Sequence, residues 1–302
     1  RQITADGVSE NNPRWSPDGT LILFVREPAG VFVMDAAFTN ERRVIPYAHT
    51  ASWTHDGLAI TAIDGQDDHK VLRYVLTGDR VEEIYDSRDA VYAGHDQAGD
   101  SLSQAAELRA GGRFLLTFTA DRGHHSYVVD LEQKTFLDNA EMDRGDCSPA
   151  WAPDGSFLTT TARTGDRPVL RTTFDPAGSF LGQSEHFVGI GAVCDCAYYV
   201  HGHRVSNDGQ WVAMGGLDRD ANNREIYLWR IGAPEADNVR VTFDTLEDHG
   251  PDLYVGDSPL PDGGTDAGQD AGTDAGPDAG QDAGVDAGED AGHDAGPDGG
   301  PD

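Results

Sequence analysis

Four histidines stand just ahead of short apolar runs: His49, His201, His203 and His249. A neutral imidazole is a common metal ligand, and its charge changes near physiological pH. Asn12 and Ser148, the latter beside Cys147, hold comparable positions. Brought together, these side chains would make a metal site, a partner site that responds to pH, or simply a polar, solvated opening. Cys194-x-Cys196-x4-His201-x-His203 supplies ligand types, but its spacing fits no zinc pattern. Asp218-x-Asp220-x-Asn222 sets oxygen donors at alternate residues, as calcium loops do, yet no carboxylate follows at the twelfth position. Ca2+ is therefore the one cofactor the residues suggest, against an ordinary polar loop. There is no Gly-x-Ser-x-Gly elbow, phosphate loop or His-Glu-x-x-His, and no Asn-x-Ser/Thr acceptor. Thr265 and Thr273 are candidate O-glycosylation sites without a supporting motif.

The elements that must position these residues repeat along the chain. Trp15-Ser16-Pro17-Asp18-Gly19 leads into Leu21-Ile22-Leu23-Phe24-Val25, which reads as a turn between two strands. Trp53-Thr54-His55-Asp56-Gly57, Trp151-Ala152-Pro153-Asp154-Gly155 and Val205-Ser206-Asn207-Asp208-Gly209 repeat it, and Leu108-Arg109-Ala110-Gly111-Gly112 is a degraded copy. The turn glycines 19, 57, 112, 155 and 209 are 38, 55, 43 and 54 residues apart. A period of roughly 40–50 residues with four strands per unit predicts the blades of an all-β propeller. One such unit cannot bury its apolar faces alone. The first strand of each blade lines the central channel, so Asn12, His49, His201, His203 and His249 are expected at one channel mouth. Trp15, Trp53 and Trp151 occupy one repeated position and read as packing between blades rather than as a ligand box.

The motif Asn12-Pro13-Arg14-Trp15-Ser16-Pro17-Asp18-Gly19 with Ile22 and Phe24 resembles the repeat of the TolB-like, WD40-like (PD40) β-propellers. Gly216 to Trp229, with Ile226-Tyr227-Leu228-Trp229, resembles it also. The resemblance covers residues 1–256 and implies a propeller, usually of six blades. It implies no particular activity, because propellers host unrelated functions. Five copies are recognisable here, and the two ends are related: Gln2-Ile3-Thr4…Glu10…Pro13 parallels Arg240-Val241-Thr242…Glu247…Pro251. Either five blades close the ring and one copy is left over, or a sixth blade is partial. A surplus strand could also dock on another subunit.

Formal net charge is −31, of which residues 261–302 carry −12. Both parts are acidic, which argues against nucleic acid and anionic membrane surfaces and permits cations and basic partners. No apolar run approaches the ~20 residues of a membrane helix. Cys147, Cys194 and Cys196 are disulfide candidates, with a bridge from Cys147 to one of the pair suiting an oxidising compartment. Residues 257–302 form a second region. From Asp262 to Asp302 an Asp falls at every fourth residue, nearly always before Ala-Gly. Such a sequence has nothing to bury and reads as an extended or disordered spacer. It is similar to Asp-Ala-Gly-rich segments of bacterial surface proteins.

Together these features predict a secreted, periplasmic or surface-borne bacterial scaffold. Its partners would be another protein or copies of itself in an oligomer or fibre, with glycans on the tail. The alternative is a metal-assisted, lyase-like enzyme acting on carbohydrate at the channel mouth.

Overall fold

The computed structural model describes residues 10–256, except 96–97, 112–113, 121–124, 138–146, 163–167, 183, 190–196, 219–222, 244–247 and 249. The chain divides into units 1–261 and 262–302. The second lies outside the described residues, as do the candidate glycan sites Thr265 and Thr273. Five antiparallel four-stranded sheets follow one another, each built from four consecutive strands. Blade I is β1 (Glu10–Trp15), β2 (Leu21–Arg26), β3 (Gly30–Asp35) and β4 (Arg42–Pro46). Blade II is β5 (Ala51–Trp53), β6 (Ala59–Ile63), β7 (Lys70–Val75) and β8 (Arg80–Asp86). Blade III is β9 (Leu102–Leu108), β10 (Leu115–Ala120), β11 (His125–Asp130) and β12 (Thr135–Phe136). Blade IV is β13 (Cys147–Trp151), β14 (Phe157–Thr161), β15 (Val169–Thr173) and β16 (Glu185–Val188). Blade V is β17 (Ala197–Val205), β18 (Trp211–Asp218), β19 (Asn223–Arg230) and β20 (Val239–Arg240). Two short 3-10 turns are the only helical elements among the described residues.

The repeated turn closes each innermost hairpin in the same way. Ser16, Thr54, Ala152 and Ser206 each donate a backbone N–H five residues ahead, to Leu21, Ala59, Phe157 and Trp211. In blade III the equivalent bond runs six residues, from Arg109 to Leu115, so the degraded copy carries one residue more. Asp18, Asp56, Asp154 and Asp208 each accept the N–H of the residue two positions on, the Asx turn that the Asp-Gly pair implies.

Burial runs between blades, one after the next. Leu23, Val25, Val31 and Ile45 of blade I pack on Trp53, Ile60, Ala62 and Tyr74 of blade II. Ile63, Val71 and Tyr85 of blade II meet Leu116, Phe118 and Val129 of blade III. Leu115 and Val128 of blade III meet Trp151, Leu158 and Phe174 of blade IV. Val169 and Val188 of blade IV meet Val212, Met214, Tyr227 and Trp229 of blade V. In the connection between β8 and β9 the Tyr92 ring lies 5.1 Å from Tyr85 in a tilted contact and 5.7 Å from Phe136 edge-on.

One feature repeats six times. Asn12, Thr50, Ala105, Ser148 and Gly202 all have left-handed backbone, with φ of 52°, 50°, 52°, 53° and 79°. Each lies four residues before the N–H that closes its hairpin, and in β1, β9, β13 and β17 the pairing register slips there. These are β-bulges that bend the innermost strand. The sixth copy is Gly250, at φ 63°. A Cβ on Gly202 would stand 3.7 Å from Gly250 Cα, and one on Gly250 would stand 3.7 Å from Asn12 Oδ1. Residues 250–255 therefore run between blades V and I. Trp15 N–H donates to Asp252 Oδ2 at 2.7 Å, and Val255 N–H donates to Asn207 Oδ1 at 2.7 Å. The Tyr254 ring lies 5.7 Å from Trp15. The ring therefore has five complete blades, with residues 250–255, which pair in no described sheet, between blades V and I.

Candidate functional site

The bulges bring the innermost strands together around a central channel. A cavity of about 540 Å³ opens at the end where the bulges lie, lined by Asn12, Thr50, Gln104, Ser148, His203 and Asp248 among others. A second, of about 270 Å³, lies toward Trp15, Trp53, His55 and Trp151. Arg14 and Arg204 line both, so they stand between the two spaces.

The residues two places after each bulge form a layer across the channel: Arg14, Ser52, Glu107, Ala150, Arg204 and Asp252. Two of its charges pair directly, Glu107 with Arg204. Glu107 Oε1 accepts from Ser52 Oγ at 3.0 Å and from Arg204 Nη2 at 2.9 Å, and its Oε2 accepts the Trp151 N–H at 3.0 Å. One carboxylate of blade III thus ties down blades II, IV and V. Arg14 Nη1 donates to the carbonyls of Pro13 and Gly250 at 2.8 and 3.2 Å. Trp53 Nε1 donates to the Arg14 carbonyl at 3.1 Å. The cluster is deeply buried: Arg14 is 8% exposed and Glu107 7%. Burial pushes the Arg14 guanidinium down to about 9, with the neighbouring Arg204 charge adding to it and Asp252 and Glu107 opposing. Burial also raises the Asp252 carboxyl, against the pull of Arg14. Partner removal is therefore costly here, because it would leave a buried charge uncompensated.

The expected histidine mouth is only partly described. Asn12 and His203 line the larger cavity. His203 is 1% exposed, and its Nδ1 sits 3.2 Å from Thr161 Oγ1 of blade IV. Burial, then the Arg204 charge, pushes its imidazole down to about 3, so it is neutral at physiological pH. His49 is outside the cavity lining; its N–H donates to Ile63 O at 3.2 Å. The His201 side chain and all of His249 lie outside the described residues. So do the Asp218 side chain, Asp220, Asn222, the Cys147 side chain, Cys194 and Cys196, and with them the calcium loop and the disulfide. Among the described residues, one group of metal-donor atoms lies within 4.8 Å, that of Asp67, Asp68 and His69. Arg88 already meets Asp67 there at 2.6 Å.

Sequence reasoning missed the charged layer. Its signal was present: Arg14, Glu107, Arg204 and Asp252 fall at one repeat position, and only alignment on the bulges shows it.

The class that fold and channel define is the β-propeller. No family model matches the chain, and no curated protein does. Solved structures do. A protein assigned as TolB from Agrobacterium tumefaciens aligns with a TM-score of 0.55 at 16% identity, over 80% of this chain and 83% of that one. TolB from Acinetobacter baumannii aligns at 0.54 and 15%, over 83% of this chain but 58% of that one. A gluconolactonase from Xanthomonas campestris aligns at 0.55 and 10%, over 79% and 77%. At these identities the likeness is one of fold.

Proposed function

We propose that the protein is a non-catalytic interaction scaffold of the bacterial periplasm or cell surface. It holds a protein partner on a rigid propeller and uses its acidic repeat segment as a spacer. The observation that carries this reading is the charged layer. Catalytic acids, bases and nucleophiles need groups aimed at a reacting atom. Here Arg14, Glu107, Arg204 and Asp252 face one another and fasten innermost strands of different blades. The Asp-Ala-Gly repeats, similar to those of bacterial surface proteins, support an extracytoplasmic setting. No helix among the described residues is long and apolar enough to cross a membrane. A sharper version is assembly with copies of itself, which residues 250–255, paired in no described sheet, favour.

Elemental analysis of purified protein, with His201→Ala and His203→Ala variants, tests the reading. No metal at a 1:1 ratio is expected. A stoichiometric metal that both variants lose would overturn the scaffold and favour the lyase-like enzyme. Sedimentation velocity across a concentration series decides the sharper version, which discrete monomers at high concentration would remove.

A further inference from the structure

We propose that the larger channel cavity is a binding site for a free polar α-amino acid, held by both charged ends, the carboxylate at Arg14 and the ammonium at Asp248. This goes beyond the scaffold reading, which gives the channel no ligand.

Arg14 is a buried cation whose hydrogen-bonding capacity is only part used. Its Nη1 donates to the carbonyls of Pro13 and Gly250. Its buried Nε has no partner. Among the described residues no carboxylate forms an ion pair with it. Glu107 engages both oxygens with Ser52, Arg204 and Trp151, and Asp252 Oδ2 accepts the Trp15 N–H. The Nε side of a guanidinium, with the adjoining Nη2, is a flat edge that matches the two oxygens of a carboxylate. Arg204, also in the cavity wall, has a second buried Nε without a partner.

Asp248 lines the same cavity and makes the opposite demand. Its Oδ2 is buried and accepts no hydrogen bond, and among the described residues no cation pairs with it. Arg14 and Asp248 thus lie too far apart to satisfy each other. A simple anion would meet Arg14 but be repelled by Asp248, and a simple cation would meet the reverse. A chain at −31 also repels anions at long range. A molecule with a carboxylate and an ammonium a few bonds apart offers each group its partner and carries no net charge. Buried polar groups are costly to leave unpaired, so a ligand that pairs both is held at both ends.

The cavity, about 540 Å³, is of the size that holds small molecules, and polar Asn12, Gln104 and Ser148 lie in its wall. Short polar side chains, those of serine, asparagine and glutamine, therefore suit it better than apolar ones.

The probes are free L-serine, L-asparagine and L-glutamine, titrated singly into the full chain by isothermal calorimetry. At least one is expected to bind 1:1 with a Kd below about 1 mM. Succinate, which has carboxylates alone, and ethanolamine, which has an ammonium alone, bind at least about tenfold more weakly. Asp248→Asn and Arg14→Lys each weaken the amino acid at least about tenfold. The first removes the charge that meets the ammonium, the second the flat edge that meets the carboxylate. Thermal melts check the fold of both variants, and if Arg14→Lys does not fold, Asp248→Asn decides. No binding of any of the three at about 10 mM overturns the proposal. So does binding that Asp248→Asn leaves intact, or succinate binding as tightly as the amino acid. The scaffold reading survives each of these results and falls only to the metal analysis.

Discussion

Glu107 is the residue on which most of the channel converges. It accepts from Ser52, Trp151 and Arg204, one from each of three blades. Glu107→Ala leaves Arg204 buried without its counter-charge, and the expected loss is about 3–5 kcal/mol by urea denaturation. Glu107→Gln keeps the shape and some of the acceptors, so it should lose less. His203 makes a pH prediction. Its folded-state value is pushed down to about 3 from an ordinary 6.5, so the unfolded chain takes up the proton first as pH falls. Its contribution is present above about pH 6.5 and is lost progressively toward pH 3. His55, also pushed down by burial, adds a slope of the same sign. Stability measured from pH 7 to 4 should fall more steeply in the native protein than in His203→Gln; equal slopes would refute the assignment. These residue-scale facts were the least legible in the sequence. A lone Arg, Glu or Asp in an apolar strand has the same letter whether it faces solvent or a channel, and only closure of the ring brings positions 14, 107, 204 and 252 within reach of one another.

At the scale of elements, the turns test how residues 250–255 are held. Gly19 and Gly57 both have left-handed backbone, at φ 71° and 68°. An alanine costs about 1–2 kcal/mol at either from backbone strain alone. A Cβ on Gly57 would have ordinary contact with Pro17 at 3.5 Å, but one on Gly19 would lie 2.3 Å from the Tyr254 ring. Gly19→Ala must therefore also displace Tyr254 from Trp15. Calorimetry should show a lower Tm for Gly19→Ala than for Gly57→Ala, and adding Tyr254→Ala to each should narrow the difference, as coupled sites do. The strands themselves were largely readable. The expected turns at 18–19, 56–57, 154–155 and 208–209 each fall between the first two strands of an observed blade, because Asp-Gly turns and β-branched runs are local signals. The bulges were not readable: Thr50, Ala105 and Ser148 adopt φ above zero without the glycine that usually marks it.

At the scale of the whole molecule, net charge dominates. A chain at −31 repels itself when compact, and salt screens that repulsion. Raising NaCl from about 0.05 to about 0.5 M should raise the Tm, and a flat or falling Tm would show that the acids are already paired. Residues 262–302 hold one large apolar side chain, Val285, among their Asp-Ala-Gly repeats, so they have little to bury. A chain ending at residue 256 should accordingly melt within about 2 °C of the full one, less than a kcal/mol for a domain of this size. A larger drop would show that the repeat segment stabilises the ring.

The sequence by itself determined the class of fold, the number of complete blades and the acidity, because turn chemistry, apolar alternation and charge are written residue by residue. Tertiary structure decided where residues 250–255 lie, which charges meet in the channel and where His203 points. Each of those depends on residues 40 to more than 200 positions apart being brought side by side. Nothing local in the chain encodes such neighbours; packing of one blade on the next does.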